Sequence, residues 1–144
     1  MAEQQNYSNH RRFIPLFHYF LALLIVATVI GAAINFFKSM DGTGLYSASL
    51  IFAIAFGNIF IFLFLRGFAL KAQDRAIRVE ENLRNYVRNG SLLDSRLDMR
   101  QIIGLRFAAD EEYDDLAARA VNDGLSEDDI KKAITNWKGD HERA

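Results

Sequence analysis

The sequence predicts an all-α membrane protein: a transmembrane helical hairpin whose second span continues into a long cytoplasmic helix, followed by a three-helix C-terminal tail. Two apolar runs, residues 13–37 and 45–65, support the hairpin because neither contains Asp, Glu, Lys or Arg. Each exceeds the roughly 20 residues that a helix needs to cross a bilayer. A signal peptide has a shorter apolar region, so we expect the first run to remain as a span.

The orientation of the spans follows from the basic residues beside them, because positive side chains are retained on the cytoplasmic side of a membrane. Lys38 is the only basic residue of the loop 38–44, so we expect this loop to be external. Residues 1–12 and both termini are then cytoplasmic. Six cations flank the other ends of the runs: Arg11, Arg12, Arg66, Lys71, Arg75 and Arg78. They are also candidates for contact with anionic lipids, although the topology rule alone explains them.

Polar and small side chains within the spans are the candidates for helix packing in the membrane, because small residues allow close approach. The set is Ala27, Gly31, Asn35, Ala53, Gly57 and Asn58. In an antiparallel hairpin, Asn35 is expected to share a hydrogen bond with Ser47. Asn58 faces apolar neighbours, so it bonds either a nearby backbone carbonyl or a polar group on another chain. Both alternatives stay open.

Residues 66–89 continue the second span as a juxtamembrane helix with an apolar seam. The seam residues recur at intervals of three and four: Ala69, Ala72, Ala76, Val79, Leu83 and Tyr86. This spacing is typical of a helix that packs lengthwise against another helix. The sequence leaves two partners open, the protein's own tail or a helix of another chain.

Charged residues on the same helix predict two intrahelical ion pairs. Asp74 with Arg78, and Glu80 with Arg84, are acid and base four residues apart, which brings such side chains together on a helix surface. Gly90 is expected to end the helix, because glycine is the preferred residue just after a helical C-terminus.

The tail, residues 90–144, is predicted to be an acidic cytoplasmic domain of three short helices. Asp98 with Gln101, and Ser126 with Asp129, have the spacing of N-terminal capping boxes. Between them, an acidic run over residues 110–115 is typical of a solvated helix start. The inward-facing residues follow helical spacing: Ile102, Ile103, Leu105, Phe107, Tyr113, Leu116, Ala117, Ala120, Val121, Ile130, Ala133, Ile134 and Trp137.

Charge and composition limit the chemistry that we expect. Residues 1–89 hold nine Lys or Arg against five Asp or Glu, and residues 90–144 hold eight against thirteen, so a net +4 precedes a net −5. An acidic soluble part disfavours nucleic-acid binding. There is no cysteine, and the three histidines are scattered. We therefore expect no enzyme, no cofactor and no metal site, and the sequence identifies no small-molecule substrate.

Two function classes remain. The first is a non-catalytic adaptor, accessory subunit or oligomerisation module that acts through its cytoplasmic helices, with membrane lipids and either a second copy or another membrane protein as partners. The residues expected to pack or dock are Ala72, Ala76, Val79, Leu83, Tyr86 and Trp137. The alternative is a component of a small oligomeric channel or transporter, which the absence of ionisable residues in the two runs disfavours.

Short stretches distributed over nearly the whole chain resemble an uncharacterised family of small bacterial two-pass membrane proteins. They are residues 5–10, 71–78, 94–97, 100–103 and 129–134, together with Trp137. The resemblance implies two spans and a bacterial inner membrane. It implies no activity and no functional residues.

Overall fold

A computed structural model describes residues 5–10 and 14–140, and in this part of the chain it contains five α-helices and no strand. The all-helical class predicted from the sequence is therefore confirmed. A π-helical segment, Leu16–Leu21, leads into the first α-helix. The α-helices are α1 (Ala22–Lys38), α2 (Leu45–Asn89), α3 (Met99–Leu105), α4 (Asp110–Asn122) and α5 (Glu127–Ala133).

The chain divides into two compact units. The hairpin unit comprises Phe13–Phe68, and the helical domain comprises Met1–Arg12 together with Ala69–Ala144. Helix α2 is continuous from Leu45 to Asn89, as the sequence predicts. Two helical segments, Leu16–Lys38 and Leu45–Asn89, are long and apolar enough to cross a membrane.

In the hairpin unit, stacked aromatic rings connect the two helices. The rings of Phe17 and Phe62 lie 4.8 Å apart, and those of Phe36 and Phe52 lie 5.7 Å apart. Phe17, near the start of the first segment, meets Phe62, whereas Phe36, near its end, meets the earlier residue Phe52. The two helices therefore run antiparallel. The buried residues of this unit are small: Ala32, Ala48 and Ala55.

The π-helical segment differs from the uninterrupted α-helix that the apolar run predicts. The turn that leads into it has bonds to residues three and four positions back: the amides of Phe17 and His18 both donate to the Ile14 carbonyl, at 3.1 and 2.9 Å, and the Ile14 amide donates to His18 Nδ1 at 3.1 Å. The segment follows Pro15, which has no amide hydrogen to donate. Apolar periodicity carries no signal for this wider turn, because it reports only which residues are hydrophobic.

The core of the helical domain lies among α3, α4, α5 and one residue of α2, Ile77. Every inward-facing residue predicted for the tail belongs to this core or packs against it. Both predicted capping motifs start helices: the Asp98 carboxylate accepts from the Gln101 amide at 2.7 Å, and Ser126 Oγ accepts from the Asp129 amide at 3.2 Å. Tertiary packing and local capping therefore agree on where α3 and α5 begin.

Two glycines end helices of this domain. Gly90 follows α2 with φ of 70°, and Gly124 lies just beyond α4 with φ of 63°. These left-handed conformations favour glycine because it has no Cβ. The predicted end of the long helix at Asn89 is confirmed.

The last helix is shorter than its apolar spacing predicts. Helix α5 ends at Ala133, so the expectation that Trp137 continues a helical face is wrong. The following residues are drawn away by other partners: the Lys138 amide donates to the Phe107 carbonyl at 2.8 Å, and the Ala109 amide donates to the Asn136 carbonyl at 3.0 Å. Trp137 still packs against the core from this non-helical segment.

Candidate functional site

Helix α2 contacts the rest of the helical domain through a polar face, not through its apolar seam. The residues buried on α2 within this domain are Ile77, Glu81 and Asn85, whose relative exposures are 4%, 6% and 8%. The Asn85 amide group donates to the Ser91 carbonyl at 2.7 Å. The domain is therefore joined to α2 largely by directional hydrogen bonds, which fix the rotation of the helix.

Arg84 makes the largest number of these contacts. Its guanidinium donates to Asp110 Oδ1 at 2.8 Å through Nε, to the Ala108 carbonyl at 2.7 Å through Nη2 and to Glu81 Oε2 at 3.2 Å through Nη1. The same group lies over the Tyr113 ring, 4.2 Å from its centroid, where a cation is attracted by the aromatic face. The predicted pair of Glu80 with Arg84 is therefore wrong, because Arg84 turns toward the tail.

The acidic start of α4 is more engaged than the solvated helix start that the sequence predicts. Arg88 donates to the Asp110 carbonyl at 2.7 Å and to Asp114 Oδ2 at 3.0 Å. The hydrogen bond from Arg84 lowers the pKa of Asp110 below its ordinary value. This carboxylate therefore keeps its charge, and Asp110 and Asp114 are the members of the acidic run that contact cations of α2.

Glu112 has a different role from its acidic neighbours. Its carboxylate accepts hydrogen bonds from the Thr135 and Asn136 amides at 3.0 and 2.9 Å, and from Thr135 Oγ1 at 2.6 Å. Burial raises the pKa of Glu112, but these donors outweigh it and bring the pKa below its ordinary value. Glu112 thus holds the segment after α5, which explains why that helix stops.

The N-terminal residues in the described range also belong to the helical domain. Gln5 exchanges two hydrogen bonds with the backbone of Asp140, at 3.1 and 2.8 Å, and the Tyr7 hydroxyl donates to Asp128 at 2.6 Å. The buried His10 ring lies 5.7 Å from the ring of Trp137. Trp137 therefore packs against the core of the domain, and no local sequence pattern predicts the N-terminal segment beside it.

The apolar seam of α2 is left uncovered. We use the name α2 seam for the set Ala69, Ala72, Ala76, Val79, Leu83 and Tyr86, all of which are exposed. The three large members, Val79, Leu83 and Tyr86, are 66%, 60% and 56% exposed. Helix α2 does pack against the protein's own tail, but through the opposite face, which contains Ile77, Glu81 and Asn85. A partner for the seam itself stays a prediction.

The six intramembrane packing candidates have different surroundings within the hairpin unit. Ala27, Gly31, Asn35 and Ala53 are exposed, and a Cβ added at Gly31 or Gly57 would meet nothing within 4 Å. Their use in intramembrane helix packing stays a prediction. The sequence also missed a ladder of phenylalanines four residues apart on α2, whose successive rings lie 5.4 to 6.4 Å apart: Phe52, Phe56, Phe60, Phe64 and Phe68.

Asn35 and Asn58 are the two amide side chains for which the sequence predicts hydrogen bonds within the spans. The expected bond between Asn35 and Ser47 is wrong, since the Ser47 hydroxyl donates to the Gly44 carbonyl at 3.0 Å. Asn58 Nδ2 donates to the Ile54 carbonyl at 3.1 Å, which is the local alternative for this side chain. Its donor is thus satisfied within its own helix.

The basic side chains near the ends of the apolar segments are solvent-accessible where the structure describes them. Arg66, Lys71, Arg75 and Arg78 are exposed. Arg11 and Arg12 lie outside the described residues. Lipid contact by any of the six cations stays a prediction. In residues 5–10 and 14–140, no group of three or more His, Asp or Glu side chains is placed to hold a metal ion.

Comparison with known proteins gives one result. The model of a family of unknown function, DUF6526, matches residues 1–144. No curated protein and no solved structure matches the chain. The match covers the full sequence and confirms the resemblance to an uncharacterised family that the short stretches indicate. The chain belongs to the DUF6526 family of unknown function.

Proposed function

We propose that this chain is a two-span protein of a bacterial inner membrane, with both termini in the cytoplasm, whose helical domain is a non-catalytic docking and assembly module. The hairpin unit holds the protein in the bilayer. The helical domain presents α2 to a partner on the cytoplasmic side.

The uncovered apolar surface of the hairpin unit supports the membrane assignment. The most apolar windows of the two candidate spans have a mean hydropathy of 2.5 each, yet only 6% and 11% of their residues are buried. A soluble protein buries the apolar face of a core helix to remove it from water. Lipid provides an apolar environment for helices that lack such cover, because a helix satisfies its own backbone hydrogen bonds.

The helical domain contains segments from both ends of the chain, which supports placing both termini on one side of the membrane. Residues 5–10 belong to the same compact unit as the chain after the second candidate span, and Gln5 contacts the backbone of Asp140. Two crossings return the chain to the side from which it started. The basic residues beside the spans favour the cytoplasm as that side.

The docking function depends on one observation, the exposure of the α2 seam. Large apolar side chains at intervals of three and four form a continuous stripe on a helix, and such a stripe is stabilised by packing against another helix. The tail of this chain already occupies the polar face that includes Glu81 and Asn85. The seam is thus available to a partner while the domain stays folded.

The assembly state of the purified protein tests this function. We expect the full chain, solubilised from native membranes in a mild detergent, to form a particle heavier than one copy. The Leu83→Glu variant places a charge in the α2 seam and is expected to reduce the particle to one copy. Mass photometry or light scattering with detergent correction measures both.

A matched control separates seam contacts from a general effect of added charge. Leu92 is 66% exposed and lies outside the seam, so Leu92→Glu is expected to leave the assembly intact. A wild-type particle that contains a single copy and no other protein contradicts the docking function. Equal disruption by the two variants also contradicts it, because the seam then has no special role.

A further inference from the structure

The α2 seam has a heptad register. Its members alternate between the two core positions of a coiled coil: Ala69, Ala76 and Leu83 at position a, and Ala72, Val79 and Tyr86 at position d. The intervals stay at three and four without interruption over these residues. The register describes a surface that fits another helix along its length.

The flanking positions of the same register carry opposite charges. Arg75 occupies position g, and Glu80 occupies position e of the following heptad, five residues later. Charges at these two positions pair across the interface of a coiled coil. Both side chains are exposed, and within the described part of the chain neither forms an ion pair.

Charge complementarity makes a second copy of this chain the occupant that fits. In a parallel pair in register, each Arg75 faces Glu80 of the other copy, so one contact generates two ion pairs. An isologous interface uses the same patch on both copies. A partner of different sequence has to supply both charges at the matching spacing, whereas a second copy supplies them by symmetry.

The proposed topology also selects the parallel direction. Two copies inserted with the same orientation in one membrane run in the same sense through the bilayer, so their α2 helices run parallel. A parallel pair brings positions g and e of opposite copies together. The pairing of Arg75 with Glu80 thus occurs in the orientation that the membrane imposes.

We propose that the α2 seam forms a parallel two-stranded coiled coil with the α2 seam of a second copy, with Arg75 of each copy paired to Glu80 of the other. This inference rests on the proposed docking function and names its partner. The tail covers the face that contains Ile77, Glu81 and Asn85 and leaves all six seam residues exposed. It also reaches two flanking g positions, where Asn82 accepts from the Leu93 amide and Asn89 donates to Asp114, while Arg75 and Glu80 stay exposed. Each copy keeps its own folded tail on the outside of the pair.

Disulfide cross-linking in native membranes tests the dimer directly, because the chain has no cysteine of its own. In a parallel coiled coil in register, each core position faces its equivalent on the other helix. Val79→Cys and Leu83→Cys are therefore expected to form covalent dimers under a mild oxidant. The control is Arg78→Cys at the outward position c, where dimer yield is expected to be lower by about tenfold because disulfides require close Cβ atoms.

Charge reversal tests the register. In the Leu83→Cys background, Arg75→Glu replaces each of the two ion pairs by two carboxylates that face each other, one at position 75 and one at Glu80 of the other copy. This variant is expected to lower the initial rate of cross-linking by about tenfold. The combined exchange Arg75→Glu with Glu80→Arg is expected to restore it. Fluorescence of Trp137, the only tryptophan, checks that each variant remains folded.

The outcomes separate this inference from the proposed function. Equal cross-linking at positions 78, 79 and 83, or cross-linking that ignores both charge changes, overturns the coiled coil. If no cross-link forms while Leu83→Glu still removes another protein from the purified particle, docking stands and the second copy is wrong. If neither cross-link nor assembly is found, both proposals fail.

Discussion

Replacing Phe107 with Ala is expected to destabilise the helical domain by about 3 to 5 kcal/mol, the range for removing a buried aromatic ring. The Phe107 side chain is 0% exposed. Its ring lies 5.2 Å from that of Trp137 and 5.9 Å from that of His10. Losing it leaves a cavity beneath both the N-terminal segment and the segment after α5, so both are expected to loosen together.

Urea unfolding of the full chain in detergent, followed by Trp137 fluorescence, measures this effect. The single tryptophan reports on the helical domain because it lies in that unit. Leu92→Ala removes a large apolar side chain that is exposed, and it is expected to change the unfolding midpoint little. A Phe107→Ala midpoint equal to that of the control argues against the core described above.

Replacing Arg84 with Met is expected to cost about 3 kcal/mol, because it leaves a buried carboxylate without its cation. The Glu81 side chain is 8% exposed and the Arg84 side chain is 10% exposed. The variant also removes the donor to the Ala108 carbonyl. Methionine keeps much of the length of the side chain, so most of the loss is electrostatic.

Two further variants define the origin of this loss in the same urea experiment. Adding Glu81→Met to Arg84→Met removes the unpaired charge and is expected to recover a large part of the stability. Arg100→Met is the control, since Arg100 is 78% exposed and its contact with Glu127 is 3.4 Å long; surface pairs of this kind contribute little. If the double variant is no more stable than Arg84→Met, the buried-charge explanation is wrong.

Local signals predicted the starts of α3 and α5 and the end of α2. The capping groups at Asp98 and Ser126 and the glycine at position 90 act through neighbouring backbone atoms, so they can be identified from a short stretch of sequence. The apolar spacing of α4 likewise predicted which residues face the core. These features depend on contacts within a few residues.

Features that depend on distant partners could not be predicted. The burial of Glu81 and Asn85 contradicts the usual preference of charged and amide side chains for the surface. The tail covers both residues, and their polar groups are satisfied by Arg84 of the same helix and by the Ser91 carbonyl, respectively. His10 is buried by residues more than 90 positions away in the chain. The same contacts explain why the seam, the most apolar face of this part of α2, is not the one that the tail covers.

The most direct test of the account is the sidedness of the proposed hairpin. A single cysteine at Thr43, in the loop between α1 and α2, and another at Asp123, after α4, both replace exposed residues. With a membrane-impermeant maleimide, we expect Thr43→Cys to react in right-side-out vesicles and Asp123→Cys to react only in inside-out vesicles. Labelling of both cysteines from the same side contradicts the two-span topology on which the docking function depends.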